Sequence, residues 1–224
     1  MSEFLNSALQ SKPVSRVLDR LYRASEETDP AIVSHAHKEM LKRGAASDTG
    51  LADLFANAFI PVSREIGHFL YILARTQISR TIVEFGTSFG ISTIFLAAAV
   101  HDNGGGRVIS SELNSEKVKS ARLNLREAGL GDFVEIREGD ALDTLRKLEG
   151  TVDLLFLDGW KDLYLSVLKL VEPYLRPGSL VIADDLDIYP DAHRPYLEYI
   201  HSPETDYISV EIPLGDRIGV SLRI

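Results

Sequence analysis

The run VDLLFLDGWKDLY sets a carboxylate, Asp158, and an ammonium, Lys161, three residues apart directly after a stretch of apolar residues. A second acidic pair, Asp184-Asp185, closes the comparable run SLVIADD. Carboxylates gathered at one place repel unless some are protonated or a cation sits among them. Their hard oxygens suit Mg2+ or another divalent cation. An amine beside such a centre is a candidate base for a hydroxyl proton. The bland alternative is that Asp158 caps a helix, Trp160 packs in the core and Lys161 is solvated; the second acidic pair and the glycine loop upstream favour chemistry.

That loop is VEFGTSFGIS, with Glu84 before Gly86 and Gly90. Glycines permit a tight turn and close approach of a ligand to the backbone. The spacing departs from the G-x-G-x-x-G of dinucleotide sites, and Glu84 would set a negative charge beside a pyrophosphate. An acidic loop suits a ligand carrying an ammonium and a sulfonium, with Ser88 and backbone N–H groups for its carboxylate; S-adenosylmethionine is such a ligand. Glu112, at the end of RVISSE, suits a ribose diol, a role that nicotinamide-binding sheets share.

These residues follow apolar runs that read as strands. TIVEF, RVISSE, FVEIRE, VDLLFLD and SLVIADD alternate with helical stretches, which implies right-handed crossovers and a doubly wound parallel sheet. DYISVEIP and RIGVSLRI are too close in sequence to be anything but an antiparallel hairpin, giving a mostly parallel seven-stranded sheet. In such sheets ligands sit beyond the carboxyl ends of the strands. Glu84 to Gly90, Glu112, Asp140, Asp158 to Lys161 and Asp184-Asp185 all fall there. Residues 14 to 77 read as extra helices, with Asp29-Pro30 as one helix start, Gly44 as a stop and a further helix from Pro61 that carries Ile66, Phe69, Leu70 and Leu73 on one face. No linker separates residues 1–60 from 61–224, so the N-terminal part is expected to belong to the same domain, as a cap or a dimer contact.

With 224 residues, 45% hydrophobic and 25% charged, the chain has the composition of a soluble globular protein. A net charge of −9 argues against nucleic acid or an anionic membrane surface as partner. The apolar run IFLAAAV is too short to span a bilayer, and the N-terminal residues carry no export signal. Zero cysteines exclude disulfides and thiolate sites and leave a cytoplasmic protein as the simplest expectation.

VEFGTSFGISTIFLA, SSELNSEKVKSARLNLREAGL and LFLDGWKDLYLSVLKLVEPYLRPGSLVIADDL together resemble class I S-adenosylmethionine-dependent O-methyltransferases, most of all the small catechol and caffeoyl-CoA type, over residues 60 to 224. The resemblance implies a Rossmann-like methyltransferase fold. It implies a cofactor site of Val62, Ser63, Glu84, Gly86, Thr87, Ser88, Gly90, Ser92, Glu112, Leu113, Asp140, Ala141, Asp158 and Trp160. It further implies Asp158, Asp184 and Asp185 as ligands of a divalent metal, usually Mg2+, and Lys161 as the base. The family usually has Asp-Asn where this chain has Asp184-Asp185. The implied partner is a small hydroxylated acceptor, and a homodimer is expected. A metal-independent methyltransferase, a nicotinamide-dependent oxidoreductase and a non-catalytic binding module are the rival readings; the oxidoreductase lacks its glycine pattern and a Tyr-x-x-x-Lys dyad. His35 and His37 point to different helix faces and make a poor metal pair. His68 and His101 read as structural or exposed, and Asp187, Tyr189 and Asp216 as candidate acceptor contacts.

Overall fold

A computed structural model of the chain describes residues 7–43 and 49–224. Seven strands form one sheet: β1 (Thr81–Phe85), β2 (Arg107–Glu112), β3 (Val134–Glu138), β4 (Val152–Leu157), β5 (Leu175–Ala183), β6 (Tyr207–Ile212) and β7 (Ile218–Arg223). Their order is β3-β2-β1-β4-β5-β7-β6, and β7 runs antiparallel to both its neighbours. The order reverses between β1 and β4, which fixes a crevice beyond their carboxyl ends. Every residue of β4 is buried, and apart from Asp153 all are apolar, as a central strand covered on both faces requires.

Helices pack on both faces: α1 (Lys12–Arg43), α2 (Arg64–Thr76), α3 (Ile91–Asp102), α4 (Ser115–Glu127), α5 (Ala141–Thr144), α6 (Tyr164–Val171) and α7 (Arg194–Ile200). In α3 every residue from Ile91 to Val100 is buried, consistent with a sequence apolar on all sides. It joins Val14 to Tyr22 of α1 and Ile66, Leu70 and Ala74 of α2 in one core cluster, so the N-terminal part shares the core of the sheet. The far half of α1 diverges from this layer. Its Ala36 and Met40 pack with Phe55 and Ala58 in a separate small cluster.

Three expectations need correction. Asp29-Pro30 does not start a helix: α1 runs through Pro30, and Asp29 instead accepts the Phe59 and Ile60 N–H groups, both at 2.8 Å. The helix expected from Pro61 begins at Arg64, with Ser63 as its cap, its Oγ accepting the Ile66 N–H at 3.2 Å. The stretch from Asp140 yields only the four-residue α5. The stop proposed at Gly44 lies outside the described residues.

Candidate active site

The parallel register carries the acidic residues to one rim. β1 pairs with β4 and β4 with β5, and the ladder continues past the strand ends: Asp158 N–H donates to Phe85 O at 2.9 Å, and Asp184 N–H to Leu157 O at 3.0 Å. Gly86, just beyond β1, has φ +105°, and a Cβ there would lie 2.5 Å from Asp158 O. A side chain at position 86 would therefore push apart the two strand ends that meet at the crevice.

Ser88 also has positive φ, +46°, and its N–H donates to Glu112 Oε2 at 2.8 Å. Glu112 Oε1 accepts the Asn114 N–H at 2.8 Å, so this acid ties the glycine loop to the cap of α4. Glu84 lies beneath the loop, fully buried, and does not line the cavity. Its carboxylate accepts from Ser92 Oγ at 2.7 Å, Thr93 Oγ1 at 2.6 Å and Ser110 Oγ at 2.5 Å. Burial raises its pKa and the three hydroxyls oppose the rise. In this arrangement Glu84 is an internal brace of the loop. Ser63 and Gly90, which cap α2 and α3, also lie off the cavity wall.

A cavity of about 750 Å3 runs across the rim. Val62, Gly86, Thr87, Ser88 and Ser92 line one end together with Glu112, Leu113, Asp140 and Ala141. Asp158, Trp160, Lys161, Asp184 and Asp185 line its middle. The far lobe is closed by Val33 and His37 of α1, Phe55, Ile188 and Tyr189. Thus the expected cofactor and catalytic residues, apart from Glu84, Ser63 and Gly90, share one space. Of the acceptor candidates, Tyr189 and Asp216 reach it and Asp187 does not. His68 and His101 lie elsewhere, against Phe95 and Asp102.

In the middle of the cavity Lys161 Nζ is 2.9 Å from Asp185 Oδ2, 3.8 Å from Asp158 Oδ1 and 2.8 Å from Tyr164 Oη. The Tyr164 hydroxyl donates in turn to Asp184 O at 3.0 Å. Burial disfavours the ammonium, yet the Tyr164 oxygen and the carboxylates of Asp185 and Asp158 outweigh it and raise the Lys161 pKa. Burial also raises Asp158 well above its ordinary value, with Lys161 opposing and Asp184 and Asp185 adding to the rise. Asp184 is pushed up to about 7 by burial and then by the charge of Asp185.

Among the described residues, no three histidine or carboxylate side chains are drawn together as a ready metal cage. The ammonium of Lys161 stands between the acids instead. The donor chemistry still suits a hard cation: three carboxylates line one wall, and two have pKa values lifted by burial and mutual repulsion, the excess that a dication relieves.

Several site residues escaped the sequence reading. Lys117 is buried on the cavity wall, 3.3 Å from Ser88 Oγ, its pKa lowered by burial. A lysine in an amphipathic helix gives no sign that it faces inward. His37 and Phe55 reach the cavity through the path of α1 and the segment after it, which periodicity does not reveal.

The profile of a methyltransferase domain family matches residues 83–186. A catechol O-methyltransferase B of Danio rerio is 32% identical over 200 residues, a match that covers 84% of this chain and 73% of that protein. The chain belongs to the S-adenosylmethionine-dependent O-methyltransferases of the catechol and caffeoyl-CoA type. A catechol O-methyltransferase of Niastella koreensis is 37% identical, but the match spans 57% of this chain and 58% of that protein, little more than half of either. Among solved structures, an O-methyltransferase of Bacillus cereus in complex with SAH superposes with a TM-score of 0.67 at 26% identity, covering 85% of this chain and 91% of that one. The sheet order and terminal hairpin of this methyltransferase-family chain are those of a Rossmann-like methyltransferase fold. Among its described residues, no helix is long and apolar enough to cross a membrane.

Proposed function

We propose that the protein moves the methyl group of S-adenosylmethionine to a hydroxyl oxygen of a small, catechol-like aromatic acceptor. The observation that carries this reading is the single cavity joining the glycine loop and Glu112 to the Asp158–Lys161–Asp185 corner and on to an aromatic lobe. Glu112 faces the ribose end, and Asp140 and Ala141 the adenine end. Phe55, Trp160 and Tyr189 offer flat apolar surface to an aromatic ring, with Trp160 and Phe55 edge to face at 6.0 Å.

A divalent cation would be held by Asp158, Asp184 and Asp185 and would supply Lewis acidity to the acceptor oxygens. With Asp158 and Asp185 neutralised by a cation, Lys161 would lose the partners that keep it charged and in its neutral form would take the proton from the acceptor hydroxyl. The resulting oxyanion attacks the sulfonium methyl carbon, the S–CH3 bond breaks with its electrons going to sulfur, and the products are an ether and S-adenosylhomocysteine. Binding of donor and acceptor in this one cavity would supply the in-line orientation such a transfer needs.

A second reading is favoured by the ion pair itself. With Lys161 locked to Asp185, the ammonium stays charged and stabilises the developing oxyanion without a metal, while a water takes the hydroxyl proton. Calorimetry with S-adenosylhomocysteine, then turnover of catechol with Mg2+ or with EDTA, tests both. No heat with the cofactor product sinks the methyltransferase reading, and undiminished turnover in EDTA selects the metal-free one. Cytoplasmic residence belongs to the same proposal and suits a chain with zero cysteines.

A further inference from the structure

One stripe of α4 lies along the glycine loop. Asn114 caps the helix, its Oδ1 accepting the Glu116 and Lys117 N–H groups at 2.9 and 3.1 Å. Lys117, Ala121 and Asn124 then follow at helical spacing on one face, and all three are buried. Asn124 Nδ2 donates to Phe89 O at 2.9 Å. Gly90 and Ala121 put no bulk between the two backbones: a Cβ added at Gly90 would already lie 3.4 Å from the Ala121 Cβ. This close approach draws Lys117 inward to the wall of the cavity, where only 8% of it remains exposed.

A buried ammonium ordinarily has a carboxylate partner. Among the described residues, Lys117 Nζ has instead one hydrogen-bond partner, the Ser88 hydroxyl at 3.3 Å, and stands 5.5 Å from the centre of the Phe89 ring. The two acids that face it are Glu112 and Asp29. Both are already engaged. Glu112 accepts the Ser88 and Asn114 N–H groups, one on each oxygen, and Asp29 accepts those of Phe59 and Ile60 in the same way. Backbone N–H groups thus fix both carboxylates away from Lys117, and its ammonium keeps donors for a molecule in the cavity. Ser88 joins the two sides: its N–H is held by Glu112 at 2.8 Å and its hydroxyl meets Nζ. Ammonium and carboxylate therefore address the same end of the cavity.

We infer that Lys117 donates a hydrogen bond to a ribose hydroxyl oxygen of the cofactor, the same hydroxyl whose hydrogen Glu112 accepts. The inference rests on the proposed function, which sets the ribose at Glu112. An ionised carboxylate only accepts, so it satisfies the hydrogen of a hydroxyl and leaves the oxygen's lone pairs stripped of water when the nucleoside enters. Lys117 is the donor that fills this gap, and the entering oxygen gives the buried ammonium the polar partner it lacks. Acid and amine together read the hydroxyl both as donor and as acceptor. The rival occupant is the carboxylate of the cofactor's amino-acid part. The charge of Glu112 beside the ammonium disfavours a second anion there.

Calorimetry on the full chain tests this with S-adenosylhomocysteine and with the two analogues in which one or the other ribose hydroxyl is replaced by hydrogen. Lys117→Met keeps the length and apolar stem of the side chain. It should weaken S-adenosylhomocysteine at least about tenfold, the usual worth of a hydrogen bond from a charged donor. For at least one analogue the loss should fall below about threefold, because the oxygen that Lys117 serves is gone and the coupling with it. Lys117→Gln retains an N–H donor and should recover part of the affinity; it carries the test if the methionine variant does not unfold cooperatively. Lys119→Met, on the exposed side of α4, should bind all three ligands as wild type. Equal losses for S-adenosylhomocysteine and both analogues, as a purely structural hold on Ser88 or a contact to the cofactor's carboxylate would give, overturn the inference and leave the cofactor site standing, and so does no loss at all. No heat from wild type with S-adenosylhomocysteine overturns the cofactor reading itself, and this inference with it.

Discussion

Gly86→Ala isolates the joint between the glycine loop and the Asp158–Lys161–Asp185 corner. The new Cβ meets two separate penalties. At φ +105° an L side chain is strained, worth about 1–3 kcal/mol. A methyl built 2.5 Å from Asp158 O forces backbone to move, and overpacking of this kind costs about 1–3 kcal/mol more. The sum is roughly 2–6 kcal/mol, which for a chain of this size is a midpoint lower by roughly 5–20 °C. Gly104 provides the control: its φ is +83°, yet a Cβ there meets nothing within 4 Å, so Gly104→Ala carries conformational strain without a clash. Thermal unfolding followed by circular dichroism reads both variants. Because Asp158 lies on the backbone that must shift, S-adenosylhomocysteine should bind Gly86→Ala at least about tenfold more weakly while Gly104→Ala binds as wild type. If Gly86→Ala melts no lower than Gly104→Ala and binds equally well, the account of the β1–β4 joint is wrong.

Replacing Lys161 with methionine should lower kcat by about 100-fold or more, the usual worth of a positioned proton-transfer group. S-adenosylhomocysteine affinity should stay within a few-fold; full turnover would remove Lys161 from the chemistry. Asp102 gives a pH signature remote from the site: its carboxylate accepts from the Ala8 N–H at 3.0 Å and from Tyr71 Oη at 2.7 Å, tying the first described residues to α3 and α2. Burial raises its pKa, but the hydrogen bonds from His101, Ala8, Tyr71 and Ser7 outweigh it and the net shift is down. A folded-state pKa below the unfolded 3.8 adds stability at higher pH, and that stability disappears as pH falls through the folded value. Wild type should therefore melt above Asp102→Asn at pH 7, and the gap should close below about pH 4; a gap independent of pH would refute the assignment.

The central strands were legible because β1, β4 and β5 carry apolar runs that end just before a chemical residue, and register then carries those residues to one rim without further information. Glu112 and Asp158 fell where the order of elements demanded. Glu84 did not, because an acid at the end of a strand gives no sign of which way it faces. It takes the hydroxyls of Ser92, Thr93 and Ser110, distant in sequence and brought together by the β1–β2 pairing, to make its burial tolerable. The N-terminal part was least legible. Pro30 sits inside α1, where proline ordinarily ends a helix, and the acid expected to cap a new one reaches instead across to residues 59 and 60. That long-range link shapes the aromatic lobe, and sequence pattern cannot report it.

Strain is concentrated where the cavity is. Six non-glycine residues among those described have positive φ, and four of them, Ile60, Ser88, Asp185 and Tyr189, line the cavity wall. Such conformations cost about 1–3 kcal/mol each and persist only where surrounding structure over-determines them. The buried β1–β4–β5 ladder supplies that constraint at Ser88 and Asp185, each one to three residues past a strand end. Position 185 shows why the departure from Asp-Asn is tolerable. Asparagine and aspartate are the non-glycine residues that accept left-handed backbone most readily, so either holds the turn at φ +57°. Aspartate adds a charge that asparagine lacks, and this charge meets Lys161 at 2.9 Å. Aspartate at 185 leaves the turn alone and changes the electrostatics around Lys161, so under the proposed function any difference in metal use from a chain with the expected Asp-Asn should trace to the Lys161–Asp185 pair and not to the shape of the loop.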